Sequence, residues 1–347
     1  MLAELPVRQM SADARHLVRD LHTPDPRIYW PDMILSACAG WGGFACAVAF
    51  RPGSGPMLAG LAISVLALYR GLCFLHELSH LRGGALRGFE LAWNIVFGVP
   101  LLLPSFVYVG VHQYHHNLAT YGTDRDPEYL PFSGKPGMVT VFVLQGLLIP
   151  LALLIRFFLL APLGLMHRGA HRWLFTHASA FCLNPKFRRE IQESSRRSVQ
   201  RWELAIVGAW AMLAGLALHE HMAWRCLAIW YVVSASGAVI NIVRTLGAHR
   251  YASDGYPLGR DEQLLDSIDT PGAFWTEFWA PVGLRYHALH HYFPGIPYHN
   301  LGKAYRRLSA NLPPQALYRR ATTRGLPHSL HKLCLGNSRS QDHRHKP

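Results

Sequence analysis

The sequence predicts an all-α integral membrane protein made of helical hairpins, with about four to six transmembrane helices and a cap rich in histidine. Three observations predict it. Half of the 347 residues are apolar and only 16% are charged, against about 25% in an average soluble domain. The charges are unevenly placed. Residues 57–75 and 137–166 carry a single Arg each, as a bilayer span requires and an isolated soluble core does not. Apolar blocks are joined by short turns such as Arg51-Pro-Gly-Ser-Gly-Pro56, and short connections make neighbouring helices antiparallel. Disordered, collagen-like and disulfide-scaffold classes fail on hydrophobic content, on the missing Gly period and on cysteine usage. The six cysteines (Cys38, Cys46, Cys73, Cys182, Cys226, Cys334) form no CxxC pair and read as small buried apolar residues.

In chain order, residues 1–30 are a polar N-terminal segment with no cleavable signal peptide. Residues 32–50 and 57–75 are the first two spans, the second running directly into His76-Glu-Leu-Ser-His80. Residues 91–111 are apolar but interrupted by Pro100 and Pro104, and lead into His112-Gln-Tyr-His-His116. Residues 204–218 and 223–243 form two further spans, separated only by His219-Glu-His-Met222. If the histidine clusters share one site, residues 91–111 cannot cross once and must be re-entrant or interfacial. Residues 137–166 would measure about 45 Å as one helix, against a hydrocarbon core of about 30 Å. They are therefore expected to cross twice, turning near Pro150, which makes six crossings in three hairpins. The last twenty residues, 328–347, are polar and basic and are expected to form a disordered tail.

The net charge is +13 at pH 7. Nucleic-acid binding would need a basic face interleaved with polar and aromatic contacts. Here Arg and Lys flank apolar blocks instead, and no nucleic acid is expected as a partner. The loop after residue 166 carries Arg168, Arg172, Lys186, Arg188, Arg189, Arg196, Arg197 and Arg201. The positive-inside rule places it, the chain ends and the histidine clusters on the cytoplasmic face. A multi-pass protein of the bacterial inner membrane is the expected setting.

Twenty-one histidines are unusual, and their arrangement says more. His76 and His80 are four apart, on one helix face. His112, His115 and His116 have the spacing i, i+3, i+4, which His287, His290 and His291 repeat. Random placement would yield one HxxHH roughly 0.07 times per chain. Convergent imidazoles from facing helices are what metal ligation requires, and neutral imidazole suits iron, zinc, copper or nickel. Eight such nitrogens exceed the coordination of one ion, so two metals are the natural count. His76-Glu77-Leu78-Ser79-His80 also matches HExxH, the zinc-protease motif with Glu77 as general base. That reading leaves the other two clusters unexplained.

With these residues in place, the chain resembles the membrane-bound fatty acid desaturase and hydroxylase superfamily, whose members carry three such histidine boxes in this order. The likeness extends beyond the boxes. His115-His-Asn-Leu-Ala-Thr-Tyr-Gly-Thr-Asp-Arg-Asp-Pro-Glu128 resembles the extension of the family's second box. Leu284-Arg-Tyr-His-Ala-Leu-His-His-Tyr-Phe-Pro294 and Ile296-Pro-Tyr-His-Asn-Leu301 are similar to the third box and its trailing Phe-Pro. Arg244-Thr-Leu-Gly-Ala-His-Arg-Tyr251 resembles the segment that supplies one further histidine, here His249. The resemblance covers roughly residues 30–320 and defines a desaturase domain over 31–327.

The resemblance implies a di-iron site held by His76, His80, His112, His115, His116, His249, His287, His290 and His291, with no catalytic side chain beyond these ligands. Asp124, Asp126, Asp266 and Asp269 are candidate orienters of imidazole N–H groups, and Asn241 is a candidate holder of water. The implied activity is O₂-dependent desaturation of a fatty acyl chain carried on lipid, CoA or acyl carrier protein. Hydroxylation, acetylenase or carotenoid oxygenase chemistry on the same iron site is the alternative, and the HExxH protease a remote one. No HPGG segment of the cytochrome b5 type is present, so two electrons are expected from a separate donor such as ferredoxin or cytochrome b5. Arg285, Arg306 and Arg307 are candidates to dock an acidic partner.

Overall fold

The structure is a computed structural model and describes residues 7–81, 84–190, 193–217 and 221–336. Among the described residues thirteen helices follow in chain order: α1 (Val7–Val18), α2 (Pro26–Ala49), α3 (Gly55–His80), α4 (Phe89–Trp93), α5 (His112–His116), α6 (Pro136–Met166), α7 (Arg168–Ala178), α8 (Glu193–Ala217), α9 (His221–Ala248), α10 (Arg260–Asp266), α11 (His287–Tyr292), α12 (Tyr298–Asn311) and α13 (Leu326–Leu335). No strand forms among the described residues, only isolated bridges such as His249 with Ser267. Four helices, α2, α3, α6 and the stretch of α9 from Met222, are long and apolar enough to cross a membrane.

α2 and α3 form the closest pair. Asp25 caps α2, accepting from the Arg27 N–H at 2.9 Å, and Ser54 caps α3 by accepting from the Met57 N–H. Facing glycines let the two backbones touch. A Cβ on Gly43 would stand 2.7 Å from the Gly60 carbonyl and 2.8 Å from the Ser64 nitrogen, whereas one on Gly42 would meet nothing within 4 Å. Gly43→Leu is therefore expected to cost about 1–3 kcal/mol by overpacking. The check is the thermal midpoint in detergent. It should fall for Gly43→Leu and hold for Gly42→Leu, and equal midpoints would refute the close packing.

Residues 91–111 form no helix long enough to cross a membrane. After α4 the chain makes a π turn at Asn94–Gly98 and then breaks at Pro100 and Pro104. Carbonyls freed at membrane depth must find donors. Three indoles supply them: Trp41 Nε1 donates to Val96 O at 3.0 Å, Trp210 Nε1 to Val99 O at 3.1 Å and Trp230 Nε1 to Pro100 O at 2.9 Å. The broken segment is thus pinned between α2, α8 and α9.

Two sequence expectations need correction. Residues 137–166 do not form two helices joined at Pro150. They form one continuous helical run, α6, about 46 Å long at 1.5 Å per residue. Pro150 sits in the first turn of the segment that follows a 3₁₀ turn at Gly146–Leu148, where its missing N–H breaks little. A π turn at Ile155–Leu160 takes up further irregularity. The second correction concerns the tail. Residues 328–335 belong to α13, whose Leu333 packs with Phe132 and Val139, so apolar burial orders them. Residues 337–347 lie outside the described residues.

Two arginines within the helical body, Arg156 and Arg70, are paired with carboxylates. Arg156 of α6 donates to Glu203 of α8 at 2.5 Å, to Ala178 O at 2.6 Å and to Ser179 Oγ at 3.0 Å. Arg70 grips Asp32 through two hydrogen bonds, of 3.0 and 2.7 Å, and Tyr298 OH donates to the same carboxylate at 2.8 Å. This links α2, α3 and α12. The N-terminal segment is held too, since Arg307 of α12 forks onto Asp20.

Candidate metal centre

Four pieces of backbone deliver nine imidazoles to one place. α3 ends at the site, with His76 and His80 on its last turn. α5 is a single turn. It begins after Gly110, whose φ of +81° suits glycine, and stops at Asn117, whose side chain accepts from the Ala119 N–H at 2.9 Å. α11 is also a single turn, ended by Phe293 and Pro294 because a residue before proline disfavours the helical region. His249 stands just beyond the end of α9.

The imidazoles form two groups, each with its ligand atoms within 4.8 Å of one another. His76, His80, His112, His116 and His290 make the first, and His115, His249, His287 and His291 the second. Seven are buried, and His80 and His116 are half-buried. The groups adjoin: the His116 and His291 rings stack with centroids 4.3 Å apart.

The nitrogens face inward in a way hydrogen bonding alone does not explain. His112 Nε2 lies 2.9 Å from His116 Nε2, and His290 Nε2 lies 3.0 Å from His80 Nε2 and 3.2 Å from His116 Nε2. In the second group His249 Nε2 is 2.8 Å from His287 Nε2 and 3.3 Å from His115 Nε2, and His287 Nε2 is 3.1 Å from His291 Nε2. A neutral imidazole has one donor and one acceptor nitrogen, so converging Nε2 atoms cannot all be satisfied by one another. Both buried nitrogens of His76 have no hydrogen-bond partner. A cation at the centre of each group would meet these lone pairs, so the donor set fits two metal ions. Burial, reinforced by neighbouring imidazoles, pushes His112, His116, His249, His287, His290 and His291 well below the usual histidine pKa. They are neutral at pH 7, the form a metal needs.

Behind these rings stand the groups that orient them. Asp126 accepts from His115 Nδ1 through both oxygens at 3.0 Å. Here burial lowers the imidazole pKa but the Asp126 charge outweighs it, and the net shift is upward. Asp266 reaches His249 through Tyr121, whose hydroxyl lies 3.1 Å from His249 Nδ1 and donates to Asp266 at 2.9 Å. The bridge between His249 and Ser267 sets that register. Asp269 does not touch an imidazole. It accepts from the Leu289 N–H at 3.0 Å and from Tyr318 OH at 2.7 Å, seating the start of α11, where a carboxylate also complements the helix dipole. Asp124 is exposed, and only its backbone carbonyl is engaged, by Asn184. Asn241 accepts from Arg244 at 2.9 Å, on a cavity wall rather than in either group.

The sequence reading missed Glu128. It forms a very short contact with His112 Nδ1 and accepts from Tyr108 OH at 3.1 Å. Burial raises its carboxyl to about 7. The available signal was its place two residues after Asp126, at the end of the same extension of the second box. Glu77 of HExxH, in contrast, accepts from Tyr29 OH at 2.5 Å and from the Tyr298 N–H at 3.0 Å. It ties α2 and α12 to α3 and is not free to serve as a general base, which removes the protease alternative. Arg285 is committed to Glu277 at 3.0 Å and Ala273 O at 2.6 Å, and Arg307 to Asp20, so neither offers a free docking cation.

A cavity of about 110 Å³ has His76 on its wall. Leu72, Cys73, Leu101, Leu103, Pro150 and Leu153 give it apolar walls, and α9 contributes Gly237, Asn241 and Arg244. Its walls come from α3, α6, α9 and the broken segment before α5, and such an apolar lining can hold a hydrocarbon chain.

A membrane-embedded helical body with two adjoining polyhistidine groups defines a membrane oxidoreductase of the histidine-box class. The fatty acid desaturase family model matches residues 52–323, and the chain belongs to that family. A ceramide hydroxylase of Caulobacter vibrioides (strain NA1000 / CB15N) is 40% identical over 333 residues, covering 93% of each chain. No solved structure matches the chain.

Proposed function

We propose that this protein is an O₂-dependent di-iron lipid oxygenase that hydroxylates the hydrocarbon chain of a ceramide-type lipid. Near full-length similarity to a ceramide hydroxylase, at 40% identity, carries the choice of product and substrate class. His76, His80, His112, His116 and His290 would hold one iron, and His115, His249, His287 and His291 the other. Two bound irons would supply the oxidising power, drawn from O₂ and two external electrons, that no side chain possesses. The protein's own work is placement. The apolar cavity holds the chain with one carbon near His76 and excludes water, while Asp126, Glu128 and Tyr121 fix the rings through their Nδ1 atoms. Electrons would arrive from a separate donor of the ferredoxin or cytochrome b5 kind. The metal centre is placed, as part of this proposal, on the cytoplasmic face of the bacterial inner membrane.

Desaturation of an acyl chain is the second reading, favoured by Phe293-Pro294 and the segment that follows the third box. Mass spectrometry of lipids from a heterologous host separates the two. Hydroxylation adds one oxygen and creates no double bond; an alkene with no added oxygen would overturn the first reading in favour of the second. Purified protein is expected to contain about two irons per chain, and one zinc instead would sink both.

A further inference from the structure

Most of the cavity beside His76 is apolar, but Arg244 shares its wall with Glu128, Tyr108, Ser234, Asn241 and Thr245. Arg244 is 9% exposed and lies on the wall formed by α9. Its Nη2 donates to Asn241 Oδ1 at 2.9 Å, and its Nε is buried with no hydrogen-bond partner. Among the described residues no carboxylate forms an ion pair with it. The groups around it include Tyr69, Cys73, Tyr108, Glu128 and the imidazoles of His76 and His249, of which only Glu128 can carry a formal negative charge at neutral pH. Burying a guanidinium with an idle N–H is expensive unless something answers it. A binding site for a bare hydrocarbon would do better with leucine.

We propose that Arg244 and Asn241 form a station that binds the secondary amide of an N-acyl lipid inside this cavity. The proposal rests on the lipid-oxidation reading above and names the group by which that lipid is recognised. The Arg244 Nε–H would donate to the amide carbonyl. Asn241 Oδ1 keeps a second lone pair beside the one Arg244 uses, and that lone pair accepts the amide N–H. An ester or a hydrocarbon lacks this matched donor and acceptor. A free carboxylate is disfavoured because Glu128 lines the same cavity, and a second carboxylate there would crowd a like group into a mostly apolar space. Position supports the assignment. Arg244 precedes His249 by five residues, about 7.5 Å along a helix, and the same cavity reaches His76. The oxidised carbon therefore lies a few carbons from the amide rather than at the far end of the chain.

The test is binding to the purified full-length protein in detergent without O₂, read by displacement of a fluorescent N-acyl lipid. Three competitors of equal chain length are compared: a neutral N-acyl amide, the plain hydrocarbon and the free fatty acid. The amide is expected to bind at least about tenfold tighter than the other two, as a hydrogen bond to a charged group allows. Arg244→Met should erase that preference and Arg244→Lys should keep part of it. Asn241→Leu, which leaves the cation in place, should lower affinity for the amide alone. Failure of the amide to bind, equal affinity for amide and hydrocarbon, tightest binding of the fatty acid, or equal weakening of all three by Arg244→Met would each overturn the proposal. No turnover is needed, so a protein that binds the amide yet oxidises nothing would refute the proposed function and leave this station standing.

Discussion

Replacing His112 with Ala is expected to abolish lipid oxidation and deplete iron from the first group. His112 is fully buried, its Nε2 lies 2.9 Å from that of His116, and its Nδ1 is committed to Glu128. Alanine removes one of five inward nitrogens and leaves an apolar gap that no neighbouring side chain fills. Loss of an outer hydrogen-bond partner to a metal ligand commonly costs 10–100-fold, so loss of the ligand itself should exceed about 100-fold. The comparison is with His177, which lies on α7 and bonds to Trp173 O at 2.9 Å. His177→Ala should keep both iron and activity. Metal analysis alongside turnover is the measurement. A His112→Ala protein with wild-type iron content and product would remove His112 from the centre.

Glu128→Leu is the second large effect expected, and the sequence did not single it out. The carboxyl group holds His112 from behind and also receives the Tyr108 hydroxyl. Leucine fills similar space but cannot accept, so the imidazole loses both its tautomer preference and its orientation. Activity should fall about 10–100-fold, with a matching drop in iron affinity. Glu128→Gln retains an acceptor and should recover much of the loss. Asp124→Leu is the control, because that side chain is exposed and outside the hydrogen-bond network around the rings. Equal iron retention in Glu128→Leu and the control would show that Glu128 is structural filler.

What the sequence could convey about this site follows from how strictly chemistry constrains spacing. Three imidazoles on one helical turn must recur at i, i+3, i+4, so two of the clusters were plain, and the pair His76 and His80 nearly so. His249 has no partner in its own segment. Only the resemblance of the residues around it brought it into view, and the structure places its Nε2 2.8 Å from that of His287. The orienting carboxylates obey no such spacing. Asp126 and Glu128 lie in an irregular loop, and which one meets which ring is decided by tertiary packing. Asp269 and Asn241 are close to the centre, yet they serve a helix start and a cavity cation.

The fold divides in the same way. A shared site for the histidine clusters marked residues 91–111 as a segment that cannot cross once, and Pro100 and Pro104 break its helix by removing donors and freeing carbonyls. The indoles that meet those carbonyls come from three distant helices, and nothing local encodes them. Composition likewise identified residues 137–166 as apolar but could not distinguish a turn at Pro150 from a helical run that absorbs the proline beside a 3₁₀ turn. In the tail, basic residues hid the leucines that dock α13 against Phe132 and Val139.

Asp269 extends the centre's dependence well downstream of the last histidine. Its side chain seats α11, while its backbone pairs with Tyr286 on one side and Thr322 on the other. The strip around Tyr318–Thr322 thus acts as an alignment jig for His287, His290 and His291. Damage to that strip would surface as misaimed rings in an otherwise folded chain, so inherited or engineered lesions far from any histidine can silence the enzyme while sparing its insertion into the bilayer.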